Sequence, residues 1–214
     1  MKKYLFIIVF LAVNVSLVAQ ANPAFQSAMK SQIQAMNQIS DTQASAEVAN
    51  AFLRIAEANS DEWLPLYYAA LTKIEGAFRF DVNKDLEFDS AIELIQQASE
   101  ISPNNSELTA LHGYALMGKL SLDPVSRGQS MSPQVMQLFG LAINQDRENP
   151  RAVTLMAQME LGMAEFFGSG PQKACGMARI ALDLYKSESA KIDENYIHPT
   201  WGVETAEELS KRCL

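Results

Sequence analysis

The stretch that decides the fold is AIELIQQASEISPNN, Ala91 to Asn105. Ala91, Ile95 and Ala98 are spaced by four and then three residues, so they share one helix face. Two of the three are alanine, which implies that another segment approaches that face closely. Pro103 cannot continue a helix, and Ser102 before it is biased out of the helical region, so the helix is expected to stop there.

The spacing recurs along the chain. Ala49, Leu53 and Ala56 show it, as do Val135, Phe139 and Ala142, and then Ala174, Ala178 and Ala181. Each of the last three sets has an apolar helical stripe upstream. DEWLPLYYAAL from Asp61, SELTALHGYAL from Ser106 and PRAVTLMAQME from Pro150 align with one another. A fixed period of about forty residues is the mark of stacked helical hairpins. The expected plan is four pairs, 23–58, 61–101, 106–146 and 150–187, with a capping helix over 199–212. Pair two is expected as 61–78 with 87–101, and pair three as 106–120 with 132–146. No alternating strand pattern competes.

At the N-terminus Lys2 and Lys3 precede an apolar run from Tyr4 to Val18, and Ala19-Gln20-Ala21 has the form of a cleavage site. This is the pattern of a secretory signal peptide over 1–21, leaving 22–214 as the mature repeat domain in the periplasm or outside the cell. Without Lys2 and Lys3, 15 basic residues face 25 acidic ones, a formal charge of −10. That charge argues against nucleic-acid binding and against electrostatic attachment to a membrane. No stable membrane insertion is expected after cleavage.

Cys175 and Cys213 are the two cysteines. In an oxidising compartment they are either a disulfide or two buried thiols. As a bridge they would add about 3–4 kcal/mol if unstrained.

AIELIQQASEISPNN resembles the second helix of a tetratricopeptide repeat. Ala91, Ile95, Ala98 and Pro103 match that pattern without a gap, and Gly113 falls where the family places a glycine between its two helices. The match differs in length, since the repeats here run 39–44 residues. The excess is expected in loops, FDVNKDLEFD (80–89) and DPVSRGQSMS (123–132). The resemblance implies an all-α solenoid whose first helices line a concave surface that holds an extended peptide or a partner's helix. In that register Glu62, Glu107, Tyr114, Arg151, Thr154 and Gln158 project into the groove. Arg151 would pair with a ligand carboxylate and Tyr114 would stack.

Nothing catalytic stands out. No H-E-x-x-H, G-x-S-x-G or P-loop is present. The only histidines are His112, beside a core stripe, and His198, read as a turn residue before Pro199. Met156, Met159 and Met163 lie on one face and are read as core filler rather than a soft-metal site. FGSGP (167–171) is read as a tight turn, with anion binding by its amides the weaker alternative. The expectation is therefore a non-catalytic interaction module with no cofactor and no metal. The alternatives are a structural subunit of an envelope assembly, or a metal carrier or enzyme on a helical scaffold.

Overall fold

A computed structural model describes residues 22–212. The expected signal peptide over 1–21 and the cysteine at 213 lie outside the described residues. The described residues form nine helices and no strand. They are α1 (Pro23–Met36), α2 (Thr42–Ala58), α3 (Leu64–Arg79), α4 (Lys84–Ile101), α5 (Ser106–Leu122), α6 (Pro124–Gln145), α7 (Pro150–Phe167), α8 (Gln172–Ser189) and α9 (Val203–Lys211).

The helix starts follow from local chemistry. Asn22, Asp41, Asn83, Asn105, Asp123 and Asn149 each accept a hydrogen bond from backbone N–H groups of the turn they precede. Such caps satisfy donors that the first helical turn leaves unpaired. Pro23, Pro124 and Pro150 sit at first helical positions, where the missing N–H costs nothing. As expected, α4 ends at Ile101, just before Pro103.

The two long loops expected from the sequence are instead helical. Within 80–89, α4 begins at Lys84: Asn83 caps it, and Asp85 and Glu87 place negative charge in its first turn. Within 123–132, α6 begins at Pro124, a single residue after α5, and runs through Pro133. Arg127 secures this early turn by a two-pronged pair with Asp85 and a bond to the Lys119 carbonyl. The breakers Gly128 and Pro133 are tolerated because α6 buries Val135, Phe139 and Ala142 against its neighbours. The last helix is shorter than expected and starts at Val203, not at residue 199.

The seams follow the spacing read from the sequence. Ala91, Ile95 and Ala98 are buried, as are Val135, Phe139 and Ala142, and Ala174, Ala178 and Ala181. At Gly113 a Cβ would lie 2.4 Å from the Phe139 ring, so only glycine lets α5 and α6 meet this closely. In the first repeat Ala49 is buried as expected, but the rest of the set departs from the spacing. There Val48 and Phe52 fill the core while Leu53 stays partly exposed. Met156, Met159 and Met163 join the core around Phe139 and Leu155.

Helices α1, α3, α5, α7 and α9 touch in succession, whereas α2, α4, α6 and α8 do not touch one another. The stack therefore bends with the odd-numbered helices on its concave side.

Candidate functional site: a concave face roofed by its own chain

The segment joining α8 to α9, residues 190–202, runs back across the concave face. Lys30 of α1 donates to the Asn195 side chain at 3.0 Å. Tyr68 of α3 donates to the Ile197 carbonyl at 3.0 Å. Ile197 is buried in the core formed by α1 to α5. Trp201 stacks on Tyr114 of α5, with ring centroids 5.6 Å apart, and its indole N–H donates to the Tyr67 hydroxyl at 2.9 Å. Tyr185 of α8 donates to the Trp201 carbonyl at 3.2 Å. The segment thus crosses from α1 to α8 before turning into α9. Gly202 makes that turn possible: its φ is +100°, and a Cβ there would lie 2.3 Å from the Tyr185 hydroxyl.

Beneath this strap lies a polar chain. Trp201 donates to Tyr67, and the Tyr67 hydroxyl donates to Glu107 at 3.2 Å. Glu107 accepts two bonds from Arg151 Nε at 2.8 and 2.9 Å. The other end of the guanidinium grips Glu188, with one contact at 2.9 Å. Arg151 is only 3% exposed. Burial opposes its charge, but hydrogen bonding to Glu188 and the field of Glu107 outweigh burial and hold it protonated. Burial pushes the Glu107 carboxyl up, against the pull of Arg151. Burial also raises Tyr67 and Tyr68, and raises Tyr185 to about 12. Repeats are linked at their edge as well: Asn149 donates to Ser106, and Ser106 donates to the Ala142 carbonyl.

The six residues expected to line an open groove are brought to this face, but in different states. Arg151 and Thr154 are buried. Arg151 is spent on Glu107 and Glu188, and Thr154 donates to the Pro150 carbonyl one turn back. Tyr114 is half-buried between Trp201 and Phe78 and donates to Glu75 at 3.0 Å. Glu62 is exposed at the edge, and Gln158 lines a cavity. The expectation of a guanidinium and a tyrosine turned to an incoming peptide does not describe them, because the strap covers what they would offer.

Two cavities lie beside the strap among the described residues. One, of about 360 Å³, lies between α1, α3, α5, α7 and α9; its walls include Glu75, Arg79, Phe80, Tyr114, Gln158 and Trp201. The other, of about 430 Å³, lies at the opposite edge, with Trp63, Glu107, Arg151, Lys191, Tyr196 and His198 among its walls. His198 stands between two aromatic rings, 6.2 Å from Trp63 and 5.6 Å from Tyr196. It is more than the turn residue expected. His112 is half-buried in α5, and burial lowers its pKa. No group of three or more metal-ligating side chains occurs among the described residues.

Two of the FGSGP amides are engaged within the chain. Ser169 N–H donates to the Ala164 carbonyl and Gly168 N–H to the Glu165 carbonyl, which closes α7. Cys175 is buried in α8, and its expected partner Cys213 lies outside the described residues, so their pairing stays an expectation. No helix among the described residues is long and apolar enough to cross a membrane.

No protein-family model matches the chain, and no curated protein matches it. The tetratricopeptide resemblance thus has no family match behind it. The fold is similar to that of a solved structure, the HusA haemophore from Porphyromonas gingivalis, with a TM-score of 0.76 and 26% identity. The similarity covers 88% of this chain and 92% of the other.

The residues missed in the sequence are Glu188, Tyr67, Tyr68, Tyr185, Ile197 and Trp201. One signal was available: NYIHPTWG, Asn195 to Gly202, packs three aromatic side chains and an isoleucine into a short connection with no helical period. Polar loops do not look like that.

Proposed function

We propose that this protein is a non-catalytic extracytoplasmic carrier that holds a flat, largely apolar ligand of the tetrapyrrole class in a cavity of its concave face. The observation that carries this reading is the strap. Beside it lie two partly open cavities whose walls mix aromatic rings with polar and charged side chains. Their volumes, about 360 and 430 Å³, fall in the range of small-molecule sites, about 300–1,000 Å³. The likeness to a haemophore over nearly the whole chain supports it.

Absorbance and fluorescence titration of residues 22–214 with ferric haem and with iron-free protoporphyrin tests it. Saturable binding of at least one, at one ligand per chain or per small oligomer, is expected. Binding no tighter than to serum albumin fragments or denatured chain would overturn it.

A second reading is a protein-interaction module. It is favoured by the way the concave face already holds an extended segment, through Tyr68 and Tyr185 donating to the carbonyls of Ile197 and Trp201. An envelope subunit is the variant of this reading with a larger partner. Crosslinked pull-down from the envelope fraction of the source organism distinguishes it: one or two proteins recovered in near-equal amount support a protein partner.

A further inference from the structure

We infer that the cavity between α1, α3, α5, α7 and α9 takes a small zwitterion with an apolar body, a large α-amino acid or a short peptide, with its ammonium at Glu75 and its carboxylate at Arg79. This goes beyond the carrier reading and does not rest on it.

The two cavities differ in how their polar groups are used. At the Trp63 edge Arg151 is paired with Glu107 and Glu188, and Lys191 with Glu148. The other cavity keeps polar groups in reserve. Ser45 on its wall is only 8% exposed, yet its hydroxyl has no protein partner among the described residues. A Cβ at residue 76 would lie 2.8 Å from that oxygen, so Gly76 makes room for it. The Gln158 side-chain amide lines the same cavity and is likewise without a protein partner. A hydroxyl buried to this degree is costly unless water or a ligand completes its bonding.

The charged groups select the ligand. Glu75 accepts from Tyr114 through one oxygen, and its second oxygen has no protein partner among the described residues. Burial raises this carboxyl, and the field of Arg79 only partly offsets it. An ammonium brings a positive charge and three donors, one each for Glu75, Ser45 and Gln158. Arg79 follows Glu75 by one turn of α3 and is exposed, whereas Glu75 is half-buried. One Arg79 nitrogen donates to the Ile39 carbonyl, and the guanidinium lies over the Phe80 ring. Its other N–H groups have no protein partner and can receive a carboxylate at the mouth. A carboxylate inside and a guanidinium at the rim suit a zwitterion better than a plain amine or a plain acid. Leu71, Leu155 and Trp201 offer apolar wall to the body between its charged ends.

The test is calorimetric titration of residues 22–214 with L-phenylalanine and the dipeptide Leu-Phe, each also as its N-acetyl and its C-terminal amide form. Saturable binding of at least one free zwitterion is expected, and the tighter of the two tells amino acid from peptide. Blocking either end should weaken it on the order of tenfold or more, since each end loses a charge-assisted hydrogen bond. In Glu75→Gln the free ligand should lose a similar factor while the N-acetyl form binds as it does to the parent. In Arg79→Gln the same should hold for the amide form. Glu148→Gln, at the other cavity, should match the parent. Circular dichroism checks folding, and the blocked ligands need no variant at all. No free zwitterion binding more tightly than about 1 mM would overturn the inference and leave water as the partner of these groups. So would equal affinity for free and blocked forms. The haem titration above succeeds or fails independently of either result.

Discussion

The hairpin seams and the concave face are made of opposite materials. A seam such as α5 against α6 is mainly glycine, alanine and one large ring, Gly113, Ala142 and Phe139, all buried, with Ser106 as a polar contact at its end. The concave face is tyrosines, a buried arginine, two glutamates and a borrowed strand of chain. Seams hold neighbours in sequence together. The concave face joins Tyr67 to Trp201, 134 residues away, and Lys30 to Asn195, 165 residues away. The first kind of contact gives the stack its stability. The second fixes its curvature and decides what space is left for a ligand.

The largest expected effect is therefore in a seam. Phe139→Ala empties a fully buried site against Gly113 and should cost about 3–5 kcal/mol in urea or guanidinium unfolding. Loss of less than about 1 kcal/mol would mean that α5 and α6 collapse to fill the gap, and that the seam is softer than its packing implies.

Arg151→Met comes next. It strands Glu107 and Glu188 without their cation, and breaking a buried pair in this way costs about 3 kcal/mol at neutral pH. The penalty should depend on pH with a definite sign. The Glu107 pKa is raised in the folded protein, mainly by burial. A group of that kind favours folding below its unfolded pKa, and that support is lost as pH rises through the folded value. Without Arg151 the folded value rises further. The difference between variant and parent should thus be small near pH 4 and grow towards pH 7. A penalty that is flat across this range would mean that water or the strap replaces the cation.

The same contrast explains how much the sequence could reveal. The seam spacing lies within seven residues, so Ala91, Ile95 and Ala98 announce a helix face by themselves. Caps such as Asn105 and Asn149 are equally local. What failed were places where a distant residue overrides a local rule. Gly128 and Pro133 look like breakers, but Val135, Phe139 and Ala142 of α6 share a core with Leu155 and Met159 of α7, and that packing holds the helix around them. In the first repeat, the neighbouring α1 and α3 select Phe52 over Leu53 for the core. For the groove, the register brings Arg151 and Tyr114 to the face that residues 190–202 cross. It could not show that Glu188 and Trp201, from elements later in the chain, would arrive to occupy them.

Trp201→Ala tests the strap itself. It removes the stack on Tyr114 and the bond to Tyr67 from a half-buried ring, at an expected cost of about 2 kcal/mol. Amide exchange should rise over 190–202 and at Tyr68 before it rises in α4 to α6. Tyrosine and tryptophan fluorescence, with Trp63 as the only remaining indole, should report a more solvent-exposed cavity edge.

The smallest change sharpens the comparison most. Tyr68→Phe keeps the ring, its stack on Phe52 and its packing volume, and removes only the hydroxyl that donates to the Ile197 carbonyl. The expected cost is about 1 kcal/mol, with the carbonyl left to find water or go unpaired. If strap and seams are separate cooperative units, exchange should rise around 195–199 alone and the seams should keep their protection. If protection falls equally in α5 and α6, the strap is part of one unit with the stack. The cavities would then open only when the whole protein unfolds, and a ligand would have to enter through the existing rim beside Trp63 and His198 rather than by lifting the segment that covers them.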